Sequence, residues 1–310
     1  MLTSLYQRHV LSASQFTIEE MDHLFQVTRA MRTLVDDHGG SDMLHRRVMA
    51  RLFYEPSTRT AMSFGAAMSR LGGTVIPTDG VQYSSVSKGE TLADTVRTVQ
   101  EFSDIVVLRH FEEGAALEAS QYLRIPLINA GDGIGEHPTQ ALLDMYTIQE
   151  SFSGFDGLTI TVLGDLLNGR TVHALLQLLA MYKVTINLVA PPVLRLPTKF
   201  MEILKAKGVT FHEHEDLSDC LAETDVLYVT RVQKERFATP EAYAAVAGSY
   251  VITSEVLQGA KPTMIVMHPF PRVNEIHPDV DHDPRAAYFR QIRNGMTVRM
   301  AILACVFGKM

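Results

Sequence analysis

The chain has 310 residues and carries 28 Lys and Arg against 35 Asp and Glu, a net charge of −7. That length accommodates two domains of ordinary size, and the acidic balance argues against a nucleic-acid binder, whose affinity rests on a broad basic surface. Any anion site must therefore be local. Cys220 and Cys305 are the only cysteines, too few and too far apart for a disulfide framework or a zinc ligand set, which fits a reducing compartment. The start, Met1-Leu-Thr-Ser-Leu-Tyr-Gln-Arg-His9, lacks the charged and apolar runs of a signal peptide. The longest apolar region, Leu175 to Ala190, is broken by Gln177, Lys183 and Asn187 and cannot span a bilayer. A soluble, cytoplasmic protein with no membrane partner is expected.

In chain order, Thr17-Ile-Glu-Glu20 reads as a capping box that opens a helix with Ile18, Met21, Leu24, Phe25, Met31 and Leu34 on its inner side. Short apolar runs then alternate with helical patterns. Strands are predicted near 47–53, 73–77, 104–109 and 125–129, and helices near 58–71, 90–102 and 113–123. A second series follows, with strands near 158–163, 184–189, 225–230 and 263–267 and helices near 170–182, 197–207, 216–223 and 239–246. Such alternation predicts an α/β protein of two doubly wound parallel-sheet domains joined by helices. The helical pattern from Arg285 to Val306 is expected to return to the first domain. The domains are placed at 1–139 plus 294–310 and at 140–293.

In such sheets ligands bind beyond the carboxyl ends of the strands, and the residues there are polar and cationic. Ser57-Thr58-Arg59-Thr60 sits at the turn from strand to helix. Backbone N–H groups, the positive end of the helix dipole, hydroxyls and a guanidinium would converge there on one oxyanion; an ordinary Ser/Thr N-cap is the plainer alternative. Arg109 closes the strand Ile105-Val-Val-Leu108 on the same sheet edge. The segment Gly131-Asp-Gly-Ile-Gly-Glu-His137-Pro-Thr-Gln140 places His137 as an N-cap before Pro138, with Gln140 on the same helix mouth. A neutral imidazole there can donate a hydrogen bond to a carbonyl gaining negative charge. Ser84-Ser-Val-Ser-Lys88-Gly lacks the spacing of a nucleotide-binding P-loop, so Lys88 reads as a flexible surface residue by default.

The second half adds Arg170 at a helix start after Gly164-Asp165, and Arg231 with Gln233 after the strand Val226-Leu-Tyr-Val229. The two arginines could each clamp a carboxylate, or pair with acids of this chain such as Asp165 and Glu235. His268-Pro269-Phe270-Pro271-Arg272 is a loop whose prolines leave carbonyls able to meet a ligand amine; which proline, if any, is cis stays open.

The motifs S-T-R-T, K-G-E-T, L-R-H, H-P-T-Q, G-D-x-x-x-G-R-T-V-H, T-R-V-Q-K-E-R, H-P-x-P-R and Y-F-R-Q…N-G-M run nearly the whole chain, and in this order the chain resembles the aspartate transcarbamoylases. The resemblance implies transfer of the carbamoyl group of carbamoyl phosphate to the α-amine of L-aspartate, an early step of pyrimidine synthesis. Positioning and electrostatics can carry that reaction, so no metal, cofactor or protein nucleophile is implied. It further implies that residues 1–139 with 294–310 hold carbamoyl phosphate and 140–293 hold aspartate. Ser57, Thr58, Arg59, Thr60 and Arg109 would bind the phosphate, and Arg59, Thr60, Arg109 and His137 would face the carbonyl oxygen. Gln140 and the carbonyls of the Pro269-Phe270-Pro271 segment would orient the carbamoyl NH₂, while Arg170, Arg231 and Gln233 would take the aspartate carboxylates. Ser84 and Lys88 would act on a neighbouring subunit's ligands, which implies a homotrimer with shared sites.

Ala61, Leu167, Asn168 and Phe270 depart from residues common in that family. Ornithine transcarbamoylase shares S-T-R-T and H-P-x-Q, but its S-M-G and H-C-L-P segments are absent here. A non-catalytic assembly subunit would be expected to lose donors, and Arg59, Lys88, Arg109, His137, Gln140, Arg170 and Arg231 are all retained.

Overall fold

The computed structural model describes residues 5–79, 85–133 and 135–310. The chain forms two compact units, Met1–Leu143 with Arg293–Met310, and Asp144–Ile292. Helix α1, Ile18–His38, opens with the expected capping box: the Thr17 hydroxyl accepts from Glu20 N–H, and the Glu20 carboxylate accepts from Thr17 N–H. Strand β1 (Val48–Phe53), helix α2 (Thr58–Arg70), β2 (Thr74–Asp79), α3 (Leu92–Val99), β3 (Ile105–His110), α4 (Ala115–Ser120) and β4 (Leu127–Asp132) follow. The strands form one parallel sheet in the order β2-β1-β3-β4. All six residues of β3 and of β4 are buried, as expected where crossover helices cover both faces.

Helix α5, Pro138–Phe152, leaves the first unit and enters the second. There β5 (Thr159–Leu163), α6 (Arg170–Leu179), β6 (Thr185–Val189), α7 (Thr198–Ala206), β7 (Thr210–His214), β8 (Val226–Val229), α8 (Pro240–Ala244) and β9 (Ile265–Met267) build a parallel sheet in the order β7-β6-β5-β8-β9. Its core includes Leu163, Val189, Leu227, Val266 and Tyr288, all fully buried or nearly so. Each of the aliphatic side chains among these contributes about 1.5–3 kcal/mol through burial. Helix α9, Tyr288–Val306, begins in the second unit and ends in the first, the return expected of the last helix. Among the described residues no helix is long and apolar enough to cross a membrane.

The structure corrects the predicted elements in three places. Strand β7 was not expected, because Thr210-Phe-His-Glu-His214 lies at the sheet edge with three residues exposed and two half-buried and so lacks an apolar run. The helix predicted near 216–223 is two short 3₁₀ turns, Leu217–Asp219 and Leu221–Glu223. Asp216 caps the first by accepting from Ser218 N–H, a local bond that competes with helix continuation. Helices α3 and α4 are shorter than predicted; α3 starts only at Leu92, where the Thr91 hydroxyl accepts from Asp94 N–H.

Strand β5 is followed by Gly164, whose φ of +117° favours glycine and whose imagined Cβ would lie 2.3 Å from the Thr230 carbonyl oxygen. That close approach brings the ends of β5 and β8 together. Gly164→Ala is expected to destabilise the chain by more than about 2 kcal/mol, read as a lower urea midpoint with unchanged slope. A midpoint equal to that of the unsubstituted chain would show that the approach is slack.

Candidate active site

In the first unit the candidate residues gather at the carboxyl edge of the sheet. Thr58 is the first residue of α2 and Ser57 its N-cap, but the Ser57 side chain makes no capping bond; its hydroxyl donates to Thr60 Oγ1 at 3.0 Å. In α1 and α3 the corresponding threonines do cap. The plain N-cap reading therefore fails for Ser57, and the first-turn amides of α2 are left without its oxygen, as an anion cradle requires. Thr58 and Arg59 are exposed, Ser57 is half-buried and Thr60 is buried. Farther along α2, Ser63 Oγ donates to the Thr60 carbonyl at 3.3 Å and accepts from the buried Arg299 guanidinium at 2.7 Å.

Arg109 sits at the end of β3 beside Phe53 of β1. Its backbone carbonyl accepts from Tyr54 N–H at 2.8 Å, and one guanidinium nitrogen donates to the Ala130 carbonyl at 3.1 Å. Its other terminal nitrogen pairs with the Glu55 carboxylate at 2.9 Å. Glu55 was not singled out in the sequence; its place two residues before the S-T-R-T turn is the only signal that could have found it. His137 is buried immediately before α5, and its carbonyl accepts from Gln140 and Ala141 N–H at 3.0 and 3.2 Å. Gln140 is half-buried on the first turn. Lys88 is exposed at the end of a 3₁₀ turn, Ser85–Lys88, and Ser84 lies outside the described residues.

In the second unit Arg170, Arg231, Gln233, Pro269, Phe270 and Pro271 follow β5, β8 and β9, at the carboxyl edge of that unit's own sheet. Arg170 is the first residue of α6. Asp165 is fully buried and accepts from Asn168 N–H at 2.9 Å, from the Asn168 amide at 3.1 Å and from Gln233 N–H at 3.3 Å. Gln233 Nε2 donates to the Asn168 carbonyl at 3.0 Å. Asn168 thus closes the loop before Arg170 around a buried carboxylate, while Leu167 is 43% exposed.

The Phe270–Pro271 peptide is cis, and Phe270 has a φ of +56°, a conformation rare for a bulky residue. Its ring packs against His268, Tyr288 and Phe289 at 5.3, 6.0 and 5.9 Å between centroids, which accounts for an aromatic at this position. Beneath it, His268 Nδ1 accepts from Phe270 N–H at 2.7 Å, so Nε2 carries the proton and donates to Glu275 at 2.7 Å. Burial alone would raise the Glu275 pKa; the bond from His268 and those from the loop backbone outweigh it and hold the carboxyl below its ordinary value.

Each unit therefore presents cationic side chains at the carboxyl edge of its own sheet, set by parallel strands and helix mouths, with hydroxyls beside them in the first. They define a two-unit α/β protein with a donor-rich strand edge in each unit. Residues 8–150 match the family model described as aspartate/ornithine carbamoyltransferase, carbamoyl-P binding domain, and residues 156–306 the one described as the Asp/Orn binding domain. The chain belongs to the aspartate/ornithine carbamoyltransferase family. It is 53% identical over 305 residues to the multifunctional protein pyr1-3 of Dictyostelium discoideum, covering 98% of this chain and 14% of that protein. It is 48% identical over 301 residues to the aspartate carbamoyltransferase catalytic subunit of Thermococcus kodakarensis, covering 97% of each. Among solved structures, aspartate transcarbamoylase from Trypanosoma cruzi in complex with carbamoyl phosphate superposes with a TM-score of 0.93 at 45% identity, covering 98% of both chains.

His173, on α6 behind the Arg170 loop, is buried, stacks on Phe200 at 4.0 Å and donates from Nε2 to the Leu166 carbonyl at 2.9 Å. Burial, with a smaller contribution from Lys199 and against the bond to Leu166, pushes its pKa down from 6.5 to about 4. Above pH 6.5 the ring is neutral in folded and unfolded chains alike; as pH falls, only the unfolded chain takes up a proton until the folded pKa is reached. Stability is thus lost between pH 6.5 and about 4. Between about pH 7.5 and about pH 5 the loss from this group is about 2 kcal/mol. Urea titrations of His173→Gln should show a correspondingly shallower pH dependence, and parallel curves for the two proteins would refute the assignment.

Proposed function

We propose that this chain transfers the carbamoyl group of carbamoyl phosphate to the α-amine of L-aspartate, releasing phosphate and N-carbamoyl-L-aspartate for pyrimidine synthesis. The observation that carries the reading is the α2 mouth, where Ser57, Thr58, Arg59 and Thr60 share a sheet edge with Arg109 and His137 and the N-cap hydroxyl is withheld from capping. The near full-length likeness to aspartate carbamoyltransferases supports the choice of acceptor. Because the chain spans only 14% of pyr1-3, the activity proposed is that of this segment alone.

Carbamoyl phosphate is a mixed anhydride. The amine nitrogen attacks the carbonyl carbon, the C–N bond forms, the C–O bond to phosphate breaks with its electron pair, and the nitrogen gives up a proton. The protein must hold the leaving phosphate and stabilise the oxygen that gains charge. Ser57, Thr58, Arg59, Thr60 and Arg109 take the phosphate, and Arg59, Thr60, Arg109 and His137 also face the carbonyl oxygen. Gln140 and the carbonyls around Pro269, Phe270 and Pro271 orient the carbamoyl NH₂. Arg170, Arg231 and Gln233 hold the dicarboxylate; the Gln233 backbone and amide bonds to Asp165 and Asn168 fix that segment in place. In this reading the domains divide at 1–139 with 294–310 for carbamoyl phosphate and 140–293 for aspartate. Lys88 and Ser84 act in trans within a homotrimer.

Offering carbamoyl phosphate with L-aspartate or with L-ornithine tests the reading directly. Carbamoyl-aspartate is the expected product; citrulline would keep the family and overturn the acceptor, and no product would overturn the activity. Arg231→Ala should raise the aspartate KM on the order of tenfold or more with little effect on the KM for carbamoyl phosphate. Equal effects on both would argue against the division of the half-sites.

Mixing Lys88→Ala chains with Arg59→Ala chains, each nearly inactive alone, should restore part of the activity. Mixed trimers without recovery would sink the shared-site arrangement.

A further inference from the structure

The segment that delivers His137 is glycine-rich: Gly131 has a φ of +114° and Gly133 of +49°, and Gly135 follows. Such a stretch does not hold a side chain in place by its own conformational preference. In this chain it is tied at two points. The buried Asp132 accepts from Asn129 Nδ2 at 3.2 Å, from Glu136 N–H at 2.9 Å and from Gly114 N–H at 3.0 Å. Asp132 N–H in turn donates to the Glu136 carbonyl at 3.2 Å. The second tie comes from the amino-terminal segment. Val10 bridges Ile128 in parallel, with Val10 N–H donating to Leu127 and Asn129 N–H donating to Val10, both at 2.8 Å. Farther on, Ser12 Oγ donates to one Glu136 carboxylate oxygen at 3.0 Å, and Ala13 N–H to the other at 3.3 Å. Ser12 is itself fixed, since the Gln15 side chain accepts from its N–H at 2.9 Å.

We propose that Glu136 is a positioning residue for the transfer reaction: by clasping Ser12 and Ala13 it anchors the glycine loop and sets the imidazole of the adjoining His137 against the reacting carbonyl. The proposal rests on the role given to His137 above. Behind His137 the backbone is already held by α5, whose first turn bonds to its carbonyl, and Pro138 fixes the next φ. Only the side toward the glycines needs an external hold. Glu136 is the residue immediately before His137, so any slack at its clasp passes directly to the imidazole. The phosphate donors Ser57 to Thr60 lie on α2 and Arg109 on β3, outside the loop, so loosening it should spare phosphate binding. Misplacing one catalytic contact by about an ångström costs up to roughly a hundredfold in rate.

The test compares Glu136→Ala, Glu136→Gln and Ser12→Ala with the unsubstituted chain. In Glu136→Ala, kcat should fall roughly 10- to 100-fold while binding of inorganic phosphate, read by calorimetry, stays within about threefold. Glu136→Gln, which keeps an acceptor for Ser12, should recover most of that loss, and Ser12→Ala should lower kcat in the same direction by less. Amide hydrogen exchange over residues 131–137 should quicken in Glu136→Ala and not in Glu136→Gln. An unchanged kcat in Glu136→Ala, or a fall of kcat and phosphate affinity together, would overturn the proposal, as would exchange rates that do not move. Full turnover in His137→Ala would instead remove the role of His137 and with it the catalytic part of the proposal, leaving the exchange result to decide whether the clasp orders the loop.

Discussion

Parallel strand pairing is the constraint on which the rest of the molecule depends. Two adjacent parallel strands can be joined only by a crossover, and here the crossover is usually a helix, so loops leave the carboxyl edge and lead into helix N-termini. In the first unit this puts the α2 mouth, the end of β3 and the α5 mouth on one edge; in the second it does the same for the α6 mouth and the ends of β8 and β9. Sheet interiors buried on both faces have no room for unpaired charge. Cations and hydroxyls that must meet an anion are therefore driven to the edges, and an acidic chain can bind anions locally without a basic surface.

A second regularity is that buried acids hold the edge loops. Asp132, Asp165 and Glu275 are each more than nine-tenths buried, and each accepts from backbone N–H groups of the loop it belongs to. Asp132 orders the approach to His137, and Asp165 the approach to Arg170 together with the Gln233 segment. Glu275 fixes His268, whose other nitrogen accepts from Phe270 N–H. Hydrogen bonds to a carboxylate are stronger than those between neutral groups, so a loop with few apolar contacts gains order from one side chain. The same bonds satisfy a buried charge that would otherwise be costly.

The alternation of apolar runs with helical patterns was legible, and so were the strand ends where the candidate residues sit. Those signals depend on buried faces, which leave a period in the sequence. Strand β7 left none, because an edge strand with His212 and Glu213 exposed need not alternate. Local side-chain bonds at Asp216 and Thr91 moved helix boundaries by competing with the helix for the same amides. Among the candidate site residues, Arg59, Arg109 and His137 were singled out by residue type and position after a strand. Glu55, Asp132 and Glu136 were not, since an acid beside a cation or a glycine loop has the composition of any solvated turn; only the coordinates show whose N–H groups or guanidinium it meets.

Asn168 and Phe270 can be weighed by the same logic. At position 168 an asparagine brings both a backbone N–H and a side-chain amide to Asp165, so the loop before Arg170 is closed around the buried carboxylate by neutral donors. At position 270 an aromatic ring packs among His268, Tyr288 and Phe289, and the backbone φ of +56° is maintained by that packing and by the bond to His268. Both side chains hold backbone in position. The groups proposed for ligands at these two loops are the Arg170 guanidinium and main-chain carbonyls, which neither side chain supplies. Asn168 and Phe270 therefore bear on any ligand only through the bonds and the contact area they supply to the loops they support.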